Sequence, residues 1–107
     1  ITARSADQLE EVANAIRGFG RRAFVLPGDV NKLEFLDEFA QAAIAELGKI
    51  DIVVNNAGGS PPAAITDVTA KSFEHAFHFN VTTALALTQQ APTSGQNIGQ
   101  SVTSAAR

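Results

Sequence analysis

Apolar residues recur along the chain at two spacings, one typical of helices and the other of buried strands. After Ser5, which can form a capping box with Gln8, apolar residues fall three and four positions apart and predict a helix. The same spacing returns after Asn31, which we expect to cap a second helix, and again from about Thr69. The three predicted inner stripes are Leu9, Val12, Ala13 and Ile16; Leu36, Phe39, Ala40, Ala43, Ile44 and Leu47; and Phe73, Ala76, Phe77, Asn80, Ala84 and Leu87.

Short apolar runs precede each of these helices. Residues 1–3, 23–26 and 50–55 are rich in apolar and β-branched side chains and predict strands, the last two of them buried. Glycines at 18, 20 and 48 end the first two helices. An order of strand and helix repeated three times predicts an α/β fold in which a parallel sheet is connected by right-handed crossovers.

Composition and charge narrow the class of protein. The chain has 107 residues, 45% of them apolar, with a formal net charge of −3 and scattered basic residues. These values are typical of a folded domain and give no footprint for nucleic acid or membrane. Cysteine is absent, which excludes disulfides and thiolate metal sites, and no metal site is predicted. We therefore expect a cytoplasmic protein with small-molecule ligands.

Polar residues and glycines gather at the carboxyl ends of the predicted strands. Asn55-Asn56-Ala57-Gly58 ends the third strand, and Gly28-Asp29-Val30 ends the second. Ligands of open α/β sheets bind just beyond such strand ends. A glycine there lets a ligand approach the backbone, because no Cβ intrudes. Asn80 lies on an apolar helix face, where a buried amide requires partners.

These motifs, in this order and spacing, resemble the short-chain dehydrogenase/reductase family. The family has an aspartate–valine pair after its third strand, N-N-A-G after its fourth, and an asparagine in the next helix, which correspond here to Asp29-Val30, 55–58 and Asn80. The resemblance covers residues 1–91, and residues 92–107 form a tail of different character. It implies a single partial dinucleotide-binding domain over 1–107. The implied fold is a partial, doubly wound Rossmann-type parallel sheet in three α/β/α layers, lacking its first strand and its C-terminal part.

The resemblance also implies which residues bind a nicotinamide cofactor. Asp29 would accept a hydrogen bond from the adenine amino group with Val30 beside the ring, whereas the alternative for Asp29 is a favourable position before a helix N-terminus. Asn56, Ala57 and Gly58 would line the ribose and nicotinamide side. Arg4 follows the predicted strand at residues 1–3, which corresponds to the family's second strand. It favours the 2′-phosphate of NADP, because guanidinium binds phosphate in a bidentate manner. NAD is the alternative cofactor, in which case Arg4 is a solvated loop charge.

Two residues are implied for the chemistry. Asn80 would perturb its helix so that a backbone carbonyl holds a water of the proton relay. Ser104, in Val102-Thr103-Ser104-Ala105-Ala106, would donate a hydrogen bond to the substrate carbonyl. The spacing from Asn80 to Ser104 is shorter than the family's, so the alternative for Ser104 is a surface serine in the tail.

The sequence lacks other parts of the family's machinery. It contains no tyrosine, so the Tyr-x-x-x-Lys pair is absent, and the glycine-rich first loop is also absent. We expect a fragment of an oxidoreductase that transfers a hydride between NADP(H) and a carbonyl or secondary alcohol, inactive on its own and homo-oligomeric in the intact parent. The alternative is a truncated or degenerate member that binds nucleotide weakly or serves as an interaction module.

Overall fold

The structure is a computed structural model that describes residues 1–90. The prediction for Ser104 and the tail at 92–107 lies outside these residues. The described elements are α1 (Ala6–Gly18), α2 (Leu33–Leu47), a 3-10 turn (Ile65–Asp67), α3 (Ala70–Phe77), a π-helical segment (His78–Thr82) and α4 (Thr83–Gln90). All three predicted helices are present, and the third is interrupted by the π-helical segment.

The helix ends follow local sequence signals in most cases. Gly20 and Gly48, which follow α1 and α2, adopt φ of 75° and 96°, a region that glycine occupies without steric cost. Ser5 is the N-cap of α1, but its side chain accepts no hydrogen bond from the helix, so the predicted capping box with Gln8 is wrong. Lys32, and not Asn31, is the N-cap of α2. The backbone N–H of Asn31 is instead engaged in the preceding turn.

A capping box does form at the start of α3. The backbone N–H of Ser72 donates to Thr69 Oγ1 over 3.1 Å, and the N–H of Thr69 donates to Ser72 Oγ over 3.0 Å. These reciprocal bonds satisfy two N–H groups that the first helical turn leaves without a partner. The start of this helix therefore agrees with the prediction from about Thr69.

Two extended segments pair through their backbones. The ammonium of Ile1 donates to the carbonyl of Phe24, the N–H of Leu26 donates to the carbonyl of Ile1, and that of Gly28 donates to Ala3. Ile1 thus bonds to Phe24 and Leu26, the two neighbours of the residue opposite it. This is the hydrogen-bond pattern of parallel strands. No regular strand is assigned within residues 1–90, so the complete parallel sheet stays a prediction.

The prediction that residues 50–55 form a buried strand is wrong for this chain. Ile52 and Val54 are 81% and 78% exposed. No backbone hydrogen bond within residues 1–90 joins this segment to a neighbouring segment. Burial of a strand depends on packed neighbours on both sides, and no other segment within residues 1–90 pairs with this one. The apolar composition of the segment is therefore present without the packing that would bury it.

The buried apolar residues among 1–90 are few and lie on two helices. Leu9 and Ala13 belong to α1, and Leu36 and Ala40 to α2. They fall four positions apart in each case and belong to the predicted inner stripes. The prediction of an inner position is wrong for Val12, Phe73 and Phe77, which are 50%, 64% and 55% exposed. Helices α2 and α4 pack against each other, and this contact brings the segment around His78 towards the start of α2. In the part of the chain that the structure describes, no helix is long and apolar enough to cross a membrane.

Candidate functional site

The turn after the second extended segment carries Asp29 at the start of α2. Asp29 Oδ1 accepts a hydrogen bond from the N–H of Asn31 over 3.0 Å, and the Asp29 carbonyl accepts one from the N–H of Lys32 over 3.0 Å. This is an Asx turn, which fixes the carboxylate by local bonds. Within residues 1–90 the second carboxylate oxygen has no hydrogen-bond partner. The half-buried Asp29 therefore keeps one acceptor for a ligand.

Gly28 allows this turn to lie close to α2. A Cβ at position 28 would collide with the ring of Phe35, which is stacked on Phe39 with ring centroids 6.2 Å apart. An aromatic ring held by a stacked neighbour cannot move away without loss of packing. The glycine in Gly28-Asp29-Val30 is thus required here for packing of the turn against α2.

Arg4 lies beside this turn. The N–H of Gly28 donates to the carbonyl of Ala3 over 3.0 Å, which brings the ends of the two paired segments together. The side chain of Arg4 is exposed and makes no hydrogen bond or ion pair with residues 1–90. Arg4, Asp29 and half-buried Val30 therefore belong to two neighbouring segments, and their binding of the adenosine end of a cofactor stays a prediction.

Asn80 binds the loop that follows N-N-A-G. Its Oδ1 accepts a hydrogen bond from the N–H of Gly59 over 2.8 Å, and its Nδ2 donates to the Gly59 carbonyl over 2.9 Å. Nδ2 also donates to the carbonyl of Ala76 over 2.8 Å, one turn earlier on the helix. The amide thus uses its acceptor and both donors. We call this set of three bonds the Asn80 clamp.

Gly58 lies directly under the Asn80 clamp. A Cβ on Gly58 would be 2.6 Å from Asn80 Oδ1, well inside van der Waals contact. Asn56, Ala57 and Gly58 are all exposed, and the structure brings this loop together with Asn80. The preceding Asn55 has a different role, because its Nδ2 donates to Thr88 Oγ1 on α4 over 3.1 Å. The first asparagine of the motif therefore holds α4, and the second is open to solvent.

The helix that carries Asn80 is widened around this residue. The N–H of Thr83 donates to the carbonyl of His78, a spacing of five that defines a π-helical turn. Thr83 is 4% exposed, and its Oγ1 donates to the carbonyl of Phe79 over 2.7 Å. Single π turns inside α-helices occur often at functional sites.

The π-helical segment also contacts the turn of Asp29. His78 Nε2 lies 2.9 Å from the backbone carbonyl of Asn31, and both groups are half-buried. The structure therefore brings the Asp29 turn and the Gly58 loop to the same helix, at residues 78 and 80. Ser104 lies outside the described residues.

The contacts that four residues make in this site were not predicted: those of Asn31, Asn55, Gly59 and His78. The pair Gly58-Gly59 was a usable signal for a loop in close contact with another group, since Gly59 has a φ of 145°. The contact between His78 and Asn31 joins residues 47 positions apart and has no local sequence signal. No cluster of metal-ligating side chains is present among residues 1–90.

The model of the short chain dehydrogenase family matches residues 1–103. This chain belongs to the short chain dehydrogenase family. It is 42% identical over 91 residues to an uncharacterized oxidoreductase of Mycobacterium tuberculosis. The aligned region is 85% of this chain and 35% of that protein. It is 36% identical over 85 residues to the 7alpha-hydroxysteroid dehydrogenase of Escherichia coli, and this aligned region is 79% of this chain and 33% of the relative. The chain spans about a third of the length of these curated relatives.

Solved structures give the same family. The hydroxysteroid dehydrogenase from Escherichia coli superposes with a TM-score of 0.78 at 34% identity, covering 86% of this chain and 39% of that one. The L-sorbose reductase from Gluconobacter frateurii, in complex with NADPH and L-sorbose, gives a TM-score of 0.76 at 27% identity, covering 84% and 35%. The prediction of the family is confirmed. Its members are oxidoreductases of the Rossmann type that use NAD or NADP and act on small molecules.

Proposed function

We propose that the protein carrying this chain is an oxidoreductase that transfers a hydride between NADP(H) and a carbonyl or secondary alcohol. The observation that carries the proposal is the attachment of two loops to one helix. The Asp29 turn contacts His78, and the Gly58 loop is held by Asn80. These loops contain Asp29, Val30, Asn56, Ala57 and Gly58, the residues that the family resemblance implies for the cofactor.

The chemistry of the loop residues fits such a cofactor. Asp29 keeps one carboxylate oxygen for an amino group of the adenine, and its Asx turn holds that oxygen in place. The backbone of 56–58 is exposed, so a ribose can approach it, and Gly58 leaves room for Asn80 on its other side. The cofactor supplies the hydride chemistry when it is bound, and these residues position it.

Arg4 supports NADP over NAD as the cofactor. Its exposed guanidinium lies beside the Asp29 turn, within the edge at which we place the adenosine end. The preceding residue is Ala3, so no carboxylate at that position would bind a ribose diol or repel a phosphate. A guanidinium binds a phosphate dianion through two parallel hydrogen bonds.

We assign Asn80 a role in the proton relay through the shape of its helix. The π-helical turn from His78 to Thr82 changes the direction of the backbone carbonyls around Asn80, and one of them would hold the relay water. Ser104 would donate a hydrogen bond to the substrate carbonyl. The general acid would be a tyrosine with an adjacent lysine, and this chain contains no tyrosine.

Isothermal titration of the full-length protein with NADPH and NADH tests the proposal. We expect saturable binding that is tighter for NADPH. Arg4→Ala should weaken NADPH binding by about tenfold, because a charge-assisted hydrogen bond contributes about 1.5–3 kcal/mol and we take the lower end of that range. The affinity for NADH should stay within about twofold of the wild type. Arg21→Ala, beyond the other end of α1, is the matched control and should change neither, because the Arg21 side chain is exposed and makes no hydrogen bond or ion pair with residues 1–90. Equal loss for both cofactors would refute the role of Arg4.

Turnover separates the enzyme from the non-catalytic alternative. The absence of tyrosine from these 107 residues favours a nucleotide-binding or interaction module if the full-length protein also lacks Tyr-x-x-x-Lys. An enzyme should oxidise NADPH in the presence of a carbonyl substrate. The oxidation is measured as the loss of the absorbance of the reduced nicotinamide. Cofactor binding without turnover over a broad panel of ketones and aldehydes would support the alternative.

We further propose that the protein is a cytoplasmic homo-oligomer.

A further inference from the structure

We propose that His78 is a positioning residue that anchors the adenine-side turn of the cofactor site to the helix that holds the nicotinamide-side loop. The inference rests on the proposed function, since it concerns the same site. It goes beyond that function because His78 contacts neither cofactor nor substrate in this account. Its role is to fix where Asp29 lies relative to Asn80.

The contact between His78 and Asn31 has a defined direction. Nε2 lies 2.9 Å from the Asn31 carbonyl oxygen, and a carbonyl can only accept. Nε2 must therefore carry the hydrogen, in the neutral ring or in the imidazolium. The bond joins positions 47 residues apart and is half-buried, so it ties together two parts of the chain that have no connection through local structure.

Asn31 is the residue through which this bond acts on Asp29. The N–H of Asn31 donates to Asp29 Oδ1 over 3.0 Å, so a shift of the Asn31 backbone moves the carboxylate. Asn31 Oδ1 is buried and has no hydrogen-bond partner within residues 1–90. Loss of the bond from His78 would leave the same residue with a second unpaired acceptor. The Asn31 carbonyl is half-buried, so the loss of its partner is unfavourable and the turn should shift.

The other end of the link is the Asn80 clamp. His78 begins the π-helical segment, and Asn80 lies two residues later in the same turn. The three bonds of the clamp hold Gly59 and Ala76 without any contribution from His78. Removal of the His78 side chain should therefore release the Asp29 turn and leave the Gly58 loop held. The two halves of the cofactor site respond differently, which provides a test.

His75 is a matched control on the same helix. It lies three residues before His78, is exposed, and makes no hydrogen bond with residues 1–90. A general effect of losing an imidazole from this helix would appear at both positions. An effect of the bond to Asn31 would appear only at His78.

The experiment measures binding of NADPH, AMP and nicotinamide mononucleotide to the full-length protein and its variants by calorimetry. For His78→Leu we expect AMP and NADPH to bind about fivefold more weakly, the effect of one hydrogen bond, with nicotinamide mononucleotide unchanged. His78→Gln, whose side-chain amide can replace Nε2 as a donor, should restore binding to within twofold. His75→Leu should bind all three probes as the wild type does.

Each outcome decides the inference. A protein that binds none of the probes overturns both the proposed function and the role of His78. Normal binding by wild type and by His78→Leu overturns the role of His78 alone, and so does an equal loss of AMP and nicotinamide mononucleotide affinity. If His78→Leu does not fold, as judged by circular dichroism, His78→Asn replaces it. Asparagine keeps a polar side chain but is too short to reach Asn31, so the same weakening is expected.

Discussion

Replacement of Gly58 by alanine should disrupt the Asn80 clamp. The new Cβ would be 2.6 Å from Asn80 Oδ1, whereas ordinary contacts begin at 3.4 Å, so one of the two must move by about 0.8 Å. The Asn80 amide cannot rotate away freely, because bonds of 2.8, 2.9 and 2.8 Å hold it to Gly59 and Ala76. The new Cβ can therefore be accommodated only if these three hydrogen bonds are broken or weakened.

The expected cost follows from those three bonds. They are exposed to solvent, so each contributes at the lower end of the usual range, about 0.5 kcal/mol, and their loss costs about 1.5 kcal/mol of unfolding free energy. Asn80→Ala removes the same bonds and should cost a similar amount. In the Asn80→Ala background the obstacle to a Cβ is gone, and Gly58→Ala should then cost almost nothing. The predicted coupling energy of this double-mutant cycle is about 1.5 kcal/mol.

Urea unfolding of the full-length protein and the three variants measures this coupling. Gly18→Ala is the control, since a Cβ there meets nothing within 4 Å. At the end of α1 alanine should be neutral or stabilise by up to about 1 kcal/mol. A cost of Gly58→Ala that is equally large with and without Asn80 would refute the steric argument. It would place the role of the glycine in backbone conformation instead.

Further predictions concern the buried residues of the helices. Leu36 is 1% exposed and Leu33, on the same helix, is 38% exposed, so Leu36→Ala should cost about 2–5 kcal/mol and Leu33→Ala below about 1 kcal/mol, as measured by urea unfolding. Equal costs would contradict the assignment of the core. Thr83→Val keeps the shape of a 4% exposed side chain but removes its bond to Phe79, and should cost about 1 kcal/mol in the same assay. Unchanged stability would show that this hydroxyl makes no net contribution.

The elements that depend on local sequence could be predicted. Helix ends at Gly18 and Gly48 and the helix start at Thr69 follow from backbone freedom and capping, which act within a few residues. The prediction of Asn31 as the cap of α2 is wrong because Asn31 belongs to the Asp29 turn, and the helix begins one residue later, after Lys32. The choice between a turn and the first residue of a helix depends on the packing around the turn, which a pattern of residue types does not contain.

Features that depend on distant neighbours could not be predicted in the same way. The β-branched residues of 50–55 indicate a buried strand, yet Ile52 and Val54 are exposed, because burial needs packed neighbours. The motif around Asn56 and the position of Asn80 identified the family from residue types and spacing alone. The contacts of His78 and Gly59 arise only when the helix and the two loops meet, and they became visible only in the structure.

Hydrogen–deuterium exchange of the full-length protein with and without NADPH tests whether the two loops form one cofactor site. We expect the cofactor to protect backbone amides at 29–31 and at 56–59, the two loops held by His78 and Asn80. Amides at 10–18, in the distal part of α1, should be unchanged. Protection of both loops together would support one cofactor site across them. Saturating NADPH that protects neither loop, or protects only residues elsewhere, would contradict it.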